Sequence, residues 1–192
     1  MAGELRFYGS VRFSAEAGLD AGDLADRVLR IEGRVSGGLG EDSRFASHEE
    51  NVGLVEAYLL QAARLADDGI HFGDVCDLHS DQLEGVYAAL FDEEDELRED
   101  LGIAHGWDTL LHLGWVEVDP RYRHSGVVAQ MVEAVVRHFC PVGLVTAYAS
   151  VLDLSIEEWR SLGFRRIAGT EVVYRDNTAD DPYGHPLDDE AD

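Results

Sequence analysis

The sequence predicts a single mixed α/β domain, in which one sheet packs against helices. Two patterns lead to this prediction. Segments with apolar residues at alternate positions are typical of strands, and segments with apolar residues every three or four positions are typical of amphipathic helices. The chain has 192 residues, the length of one domain, and contains no internal repeat. We therefore predict one domain over 1–175, followed by an acidic disordered tail over 176–192.

The charge of the chain is strongly unbalanced. It carries 39 Asp and Glu against 15 Lys and Arg, for a formal net charge of −24, and all the basic residues are Arg. Nucleic acids and anionic membranes attract clustered cations, so neither is an expected partner. Two interpretations of the acidity remain open: adaptation to high salt, which screens self-repulsion, or an acidic surface for a cationic partner.

No feature of the sequence points to a membrane or to export. No apolar run approaches the roughly 18 residues of a membrane span, and the N-terminus lacks a signal-peptide pattern. Two cysteines, Cys76 and Cys140, are too few for a disulfide framework and are expected to be buried. We therefore expect a soluble, cytoplasmic protein.

The first half of the chain predicts alternating strands and helices. Ser47 and Glu50 have the spacing of a capping box, which marks the start of a helix. Asp and Glu dominate 92–100, which indicates a solvated helix or loop. The predicted elements are a strand over 4–13, a helix over 20–31, a glycine-rich loop over 33–40, a helix over 52–66, a short strand over 70–78 and a helix over 81–90.

The second half is more regular. Asp153 or Ser155 is expected to cap a short helix, and Gly163 stands where a helix C-terminal glycine belongs. The predicted elements are a buried strand over 109–118, a loop over 121–126, an amphipathic helix over 128–139, a strand over 142–151, the short helix, and a last strand over 166–174.

One segment has the pattern of a binding site: a buried strand ends at Pro120, a loop contains Gly126, and a long helix follows. The first turn of a helix has free N–H groups and the positive end of the helix dipole. Such a helix start can bind a phosphate or pyrophosphate. Arg121 and Arg123 add positive charge just before it. The sequence therefore predicts an anion site there.

Residues in this half resemble motifs of the GNAT superfamily of N-acetyltransferases. Arg123-x-x-Gly126-x-Val128 resembles the signature Q/R-x-x-G-x-G/A, and Val116-x-Val118-x-Pro120 resembles the strand before it. Trp159 to Phe164 resembles the segment Y-x-x-x-G-F. The similarity covers about 107–175. It implies an α/β (α+β) fold of the acyl-CoA N-acyltransferase type, with a single mixed, mostly antiparallel sheet flanked by helices.

The resemblance implies acetyl-CoA as co-substrate and a primary amine, on a small molecule or a protein, as acceptor. The amine would attack the acetyl group directly in a ternary complex. The pantetheine arm would pair like an extra strand with Val116 and Val118, and 20–106 would supply the acceptor side. No metal is implied, and a homodimer is left open. The residues expected under the pyrophosphate are Arg123, His124, Ser125, Gly126, Val127 and Val128.

Three residues are candidates for catalysis. His112 is the candidate general base; it is expected to share a strand face with Val116 and Val118, and its unperturbed pKa of about 6.5 suits proton transfer. Glu117 is close by but is expected to project to the opposite face. Tyr148 is a candidate acid for the leaving thiolate. Alternatively, His112 and Tyr148 are buried core residues without a catalytic role.

Three departures from the family pattern leave a second function open. Val128 replaces a Gly or Ala and is expected to crowd the phosphates. Trp159 replaces a Tyr, and Leu152 replaces an Asn. The runner-up is a catalytically silent GNAT-fold module that binds CoA or a protein partner. A more distant alternative is an acidic protein that competes for a nucleic-acid-binding partner.

Two further groupings have a weaker chemical pattern. His71, Cys76 and His79 have a loose metal-ligand spacing, but zinc usually needs four closely arranged ligands. Cys140 would need His138 within reach of its sulfur to act as a nucleophile. Neither grouping enters the predicted site.

Overall fold

The computed structural model describes residues 6–16, 24–40, 50–103, 107–123, 125–151 and 154–178. Within these ranges the chain forms one seven-stranded sheet with helices on both faces. The strands are β1 Arg6–Glu16, β2 Val28–Gly40, β3 Glu50–Leu60, β4 Leu110–Val118, β5 Leu144–Tyr148, β6 Arg165–Arg166 and β7 Val172–Asp176. The α-helices are α1 Ala62–Asp67, α2 Phe72–His79, α3 Asp81–Leu90, α4 Val127–Phe139 and α5 Ile156–Ser161. Short 3-10 helices cover Leu24–Arg27, Glu99–Leu101 and Pro120–Tyr122.

The strand order is β1-β2-β3-β4-β5-β7-β6, and every neighbouring pair is antiparallel except β4 with β5. The prediction of a mixed, mostly antiparallel sheet flanked by helices is confirmed. Parallel strands need a crossover connection, and α4 supplies it between β4 and β5. The carboxyl end of β4 therefore leads into the start of α4.

Two apolar cores lie on opposite faces of the sheet. On the face that we call the α4 face, residues of α4 and α5 pack against the central strands. On the face that we call the α3 face, residues of α1, α2 and α3 pack against Leu60, Leu110, Leu144 and Val172. Successive side chains of a strand point to opposite faces, so β4 contributes to both cores. Within the described residues, no helix combines the length and apolar character that crossing a membrane requires.

The prediction of a helix over 20–31 and a loop over 33–40 is wrong. A 3-10 turn leads into β2, where Ile31, Gly33 and Val35 alternate as buried residues with more exposed neighbours. The glycines that suggested a loop lie where two strands are close together. A Cβ built on Gly33 would lie 2.7 Å from Cγ1 of Val55, and one on Gly37 would lie 2.4 Å from the carbonyl oxygen of Tyr8.

The predicted helix over 52–66 is also wrong, because this segment forms β3 and then the short helix α1. The register of β3 against β2 shifts near Val52, so Val52 and Val55 are both buried although they are three positions apart. This spacing imitates that of a helix. Leu60 then belongs to the other core. Ser47, the expected cap, lies outside the described residues. The predicted strand over 70–78 is instead the helix α2.

The predicted helix over 81–90 and most of the predicted elements of the second half are confirmed. The helices α3 and α4 and the strand β4 lie within one residue of their predicted bounds. Ser155 caps α5 and forms a capping box with Glu158, and Gly163 follows the helix with φ of 80°. The last predicted strand is a hairpin of β6 and β7.

The boundary expected for the tail lies slightly too early. Asp176 ends β7, and the amide of Asn177 is buried and donates to the carbonyl oxygen of Cys140 at 2.9 Å. These two residues therefore belong to the folded domain. Residues 179–192 lie outside the described residues.

Candidate functional site

The centre of the candidate site is an irregularity in β4. Trp115 pairs with Glu56 of β3 and Leu113 pairs with Ala57, so Gly114 is an extra residue between the two pairs. A β-bulge of this kind shifts the side-chain alternation by one residue. A Cβ on Gly114 would lie 2.7 Å from a ring carbon of Tyr58, so this position has no room for a larger residue.

The bulge reverses the face of every later residue of β4. Leu111 and Leu113 lie in the α4-face core, and so do Val116 and Val118 beyond the bulge. The expectation that His112 shares a face with Val116 and Val118 is therefore wrong. Instead, His112 lies on the α3 face together with Trp115 and Glu117. The expectation that Glu117 projects away from His112 is wrong for the same reason.

The second half of β4 has an open edge. The ladder between β4 and β5 joins only Leu110–Leu113 with Leu144–Ala147, whereas β4 continues to Val118. The N–H of Asp119 donates to the carbonyl oxygen of Val52 at 2.8 Å, on the β3 side. Backbone groups alternate in direction along a strand, so those of Val118 and Val116 point away from β3. Within the described part of the chain, no strand pairs with them.

The helix α4 begins next to this open edge. Its N-cap residue is Gly126, with φ of 74°, and no side chain caps the first turn. A Cβ on Gly126 would meet no atom within 4 Å, so the space above the helix start is open. The N–H groups of Val127 and Val128 therefore lie at an accessible helix start. The peptide dipoles of the thirteen residues of α4 are aligned, which makes this helix start electrically positive.

Arg121, the first arginine expected to add charge here, is engaged by carboxylates. The guanidinium of Arg121 donates to both carboxylate oxygens of Asp119 and pairs with Glu50 at 2.9 Å. The side-chain hydrogen bond from Arg121 and the bond from its backbone N–H lower the pKa of Asp119 to about 2. Arg123 is exposed. The predicted contact of His124 lies outside the described residues.

His112 is fully buried on the α3 face. Its Nδ1 lies 3.1 Å from Oγ1 of Thr146 on β5, and its Nε2 is buried with no hydrogen-bond partner among the described residues. Its ring stacks on Tyr58 with centroids 6.4 Å apart. Burial, followed by the charge of His79, lowers the pKa of His112 to about 4. The imidazole is therefore neutral at pH 7 and out of solvent contact.

A polar group missed by the sequence analysis lies on the neighbouring strand. The hydroxyl of Tyr58 donates to Oε1 of Glu56, and Arg30 donates to Oε2 of the same carboxylate. Burial would raise the pKa of Glu56, but the bonds from Tyr58 and Arg30 outweigh burial and lower it. Burial and the bond to Glu56 raise the pKa of Tyr58 to about 12. Glu56 is thus an ionised carboxylate inside a hydrogen-bonded group.

These side chains border an open cleft of about 870 Å³ between the sheet and the start of α3. Carboxylates stand on two of its walls, Glu56 on β3 and Asp81 on α3. Trp115 is 42% exposed, a large apolar surface that an organic ligand can cover. The cleft is lined by Glu56, Tyr58, Ser80, Asp81, Gln82, Gly114, Trp115 and Val151.

Tyr148 lies where β4 and β5 separate. Ala147 is the last residue of β5 that pairs with β4, and Tyr148 follows it. The Tyr148 hydroxyl donates to the carbonyl oxygen of Gln82 at 3.3 Å. Burial, followed by the charge of Glu84, raises the pKa of Tyr148. The phenol is protonated at neutral pH and can donate a proton.

The three departures from the family pattern have different surroundings. The side chain of Val128 is 7% exposed and turns into the α4-face core, so it does not stand over the open helix start. Trp159 is also buried, and its Nε1 donates to the carbonyl oxygen of Ala149 at 3.4 Å. Leu152 lies outside the described residues.

The weaker groupings do not assemble into sites. Cys76 is buried in α2, and burial raises the pKa of its thiol to about 12. His71 instead lies within 3.7 Å of Asp74 and Asp95. Among the described residues, no three His, Cys, Asp or Glu side chains are grouped to hold a metal ion. The Nδ1 of His138 lies 3.2 Å from the carbonyl oxygen of Ala134, and burial raises the pKa of Cys140 to about 12.

Comparison with known proteins assigns no family to this arrangement. No protein-family model matches the sequence, and comparisons with curated proteins and with solved structures give no match either.

Proposed function

We propose that the protein is an N-acetyltransferase of the acyl-CoA N-acyltransferase type, which transfers an acetyl group from acetyl-CoA to a primary amine. The observation that carries the proposal is the open edge of β4 beside the uncapped start of α4. An extended amide-containing arm and a pyrophosphate need these two features side by side. The resemblance of residues 107–175 to GNAT motifs supports the same ligand.

The open edge supplies the matching hydrogen bonds. Backbone groups of Val116 and Val118 would pair with the amides of the pantetheine arm, as a strand added to a sheet edge pairs. The N–H groups of Val127 and Val128 would contact the pyrophosphate. Gly126 leaves space for its approach, because a Cβ there meets nothing within 4 Å.

The acidic cleft on the α3 face would bind the acceptor amine. Asp81 stands on one wall and Trp115 offers a partly exposed ring in the same cleft, whereas the charge of Glu56 is already offset by Arg30. Carboxylates attract an ammonium group, and an indole face attracts a cation as well. The cleft and the open edge share Gly114 and Trp115, so an amine in the cleft would lie close to the acetyl end of the arm.

Residues on the α3 face of β4 and β5 suggest roles for proton transfer. The amine must lose a proton to attack the thioester carbonyl, and the departing thiolate must gain one. Glu117 is exposed on the α3 face and is better placed than the buried His112 to accept a proton. His112 would instead position Tyr58 and Thr146. Tyr148 would protonate the departing thiolate, because its phenol carries a proton at neutral pH and lies where β4 and β5 separate.

An acetylation assay tests this proposal. Release of the free CoA thiol would be measured with a panel of primary amines, in moderate and in molar salt. We expect turnover with at least one amine. The Glu117→Gln variant should be slower by at least about a hundredfold, the usual range for a lost general base, and Glu157→Gln, an exposed carboxylate on α5, serves as control. Full activity of Glu117→Gln would contradict the role given to Glu117.

A second candidate is a module of the same fold that binds CoA without turnover. The burial of His112, which leaves the expected base without access to an acceptor, favours it. Saturable acetyl-CoA binding with no acetylation of any amine would support this candidate over the enzyme.

A further inference from the structure

The two edges of the sheet differ greatly. At one edge, β6 is only two residues long. At the other edge, β1 runs for eleven residues and pairs with β2 along its whole length without a register shift. The outer side of β1 pairs with no strand in the described part of the chain. Short strands, prolines, bulges and charged side chains protect sheet edges from association; β1 is long and has no proline or bulge, and its protective residues are the charged Arg6, Arg12 and Glu16.

A groove runs along the same edge. It has a volume of about 500 Å³ and lies between β1 and α4. Phe7, Val11 and Phe13 of β1 line one side, and the α4 side combines Met131 and Ala134 with polar residues, namely Gln130, Glu133, Arg137 and His138. Phe13 also packs edge-on against Phe139, with ring centroids 5.1 Å apart. The edge therefore offers both unpaired backbone groups and apolar side chains to a partner.

We propose that this edge binds a second copy of the chain, so that β1 pairs antiparallel with β1 of the other copy and the two sheets become continuous. A two-fold axis perpendicular to the sheet produces this arrangement, and two-fold dimers are the commonest protein oligomers. Both copies of α4 then flank the junction on the same side. The two grooves face each other across it.

The residues of β1 favour one register. Paired residues of antiparallel strands point to the same face, so the axis must lie midway between one residue and the same residue of the other copy. With the axis between the two copies of Val11, all eleven positions are paired, Arg6 takes the position opposite Glu16, and Ser10 takes the position opposite Arg12. An axis between the two copies of Arg12 would place this cation opposite itself, which is unfavourable. The charges of β1 are therefore complementary to those of a second, reversed β1.

Sedimentation equilibrium of the full chain tests the proposal. We expect a monomer–dimer equilibrium at concentrations up to about 100 μM. Glu16→Arg should weaken the dimer at least about fivefold, because the opposed charges are lost at both ends. The double variant Arg6→Glu with Glu16→Arg should restore it, because the opposite charges are exchanged.

A matched pair at the exposed Ser10 gives an independent test. Ser10→Glu would face Arg12 of the second copy and should tighten the dimer, whereas Ser10→Arg should weaken it. Circular dichroism would check that all variants are folded. A chain that stays monomeric at every concentration would overturn the proposal. A dimer that responds equally to both Ser10 variants, or that the double variant does not restore, would also overturn it.

Discussion

The two faces of β4 differ in chemistry although they belong to one strand. Toward α4, Leu111 and Leu113 are fully buried among valines of the helix. Toward α3, the strand presents His112, Trp115 and Glu117, and Trp115 lines a polar cleft. Both faces of the sheet bury apolar surface, the main source of folding stability, but from His112 onward the buried apolar residues of β4 lie on the α4 face. The α3 face buries a histidine with an unpartnered nitrogen, an arrangement that costs stability.

The comparison shows why the bulge at Gly114 matters. Without it, alternation would bring Trp115 and Glu117 to the α4 face and Val116 to the cleft. The bulge keeps Val116 and Val118 on the α4 face and turns the exposed Trp115 and Glu117 to the α3 face. The same shift leaves the backbone groups of Val116 and Val118 on the open edge. One extra residue thus separates the stabilising side of the strand from the side that can bind ligands.

The largest expected effect comes from the α4 face. Leu113→Ala should lower the free energy of unfolding by about 3 kcal/mol, because it leaves a cavity in a close-packed core. Trp115→Ala, two residues later on the cleft side, should cost less than about 1 kcal/mol, since the ring is already 42% exposed. Urea denaturation measures both. Equal losses would mean that the two faces do not differ in stabilising role.

The second effect concerns the pH dependence of the α3 face. The pKa of His112 is about 4 in the folded protein and about 6.5 when unfolded. Below pH 6.5 the unfolded chain takes up a proton that the folded chain does not. Titration of His112 therefore lowers the free energy of unfolding by about 2 kcal/mol as the pH falls from 7.5 to 5.

The His112→Gln variant isolates this contribution, because glutamine does not titrate. Urea denaturation at both pH values should give a fall in stability that is larger in the natural chain than in the variant. The difference between the two falls cancels the contributions of the many carboxylates and of His79. Identical falls would contradict the buried, neutral state of His112.

The smallest effect tests the bulge itself. Gly114→Ala adds a methyl group that would lie 2.7 Å from the ring of Tyr58. We expect a loss of about 1 kcal/mol, typical of a modest steric clash in a packed region. The ring of Tyr58 should also shift, which changes its NMR resonances. If stability and the Tyr58 resonances both stayed unchanged, the close contact at Gly114 would be refuted.

The sequence predicted the second half of the chain better than the first for a physical reason. The helix α4 has a single long apolar stripe, and Ser155 and Gly163 mark the two ends of α5. In β2 and β3, by contrast, register shifts and close-packed glycines obscure the two-residue period. Local sequence patterns do not show which glycines are in close contact with a neighbouring strand of the sheet.

The candidate site was predicted only in part. The strand–loop–helix unit around Gly126 follows from local sequence, whereas the faces of His112 and Glu117 depend on the bulge. Glu56 and Tyr58 were missed because their segment was interpreted as a helix. The alternation from Val55 to Leu59, with polar Glu56 and Tyr58 between apolar residues, is itself a strand signal. Only the assembled sheet shows that these side chains lie beside His112.

Calorimetric titration with acetyl-CoA tests the central claim most directly, namely that the open edge of β4 holds the co-substrate. Val116→Pro removes an N–H that points away from β3, so the ladder to β3 keeps its hydrogen bonds. Val116→Ala keeps that N–H and serves as the matched control. We expect saturable binding to the natural chain, about fivefold or more weaker binding to Val116→Pro, and little change for Val116→Ala. Absence of binding to the folded natural chain, or equal affinity of Val116→Pro, would contradict the claim.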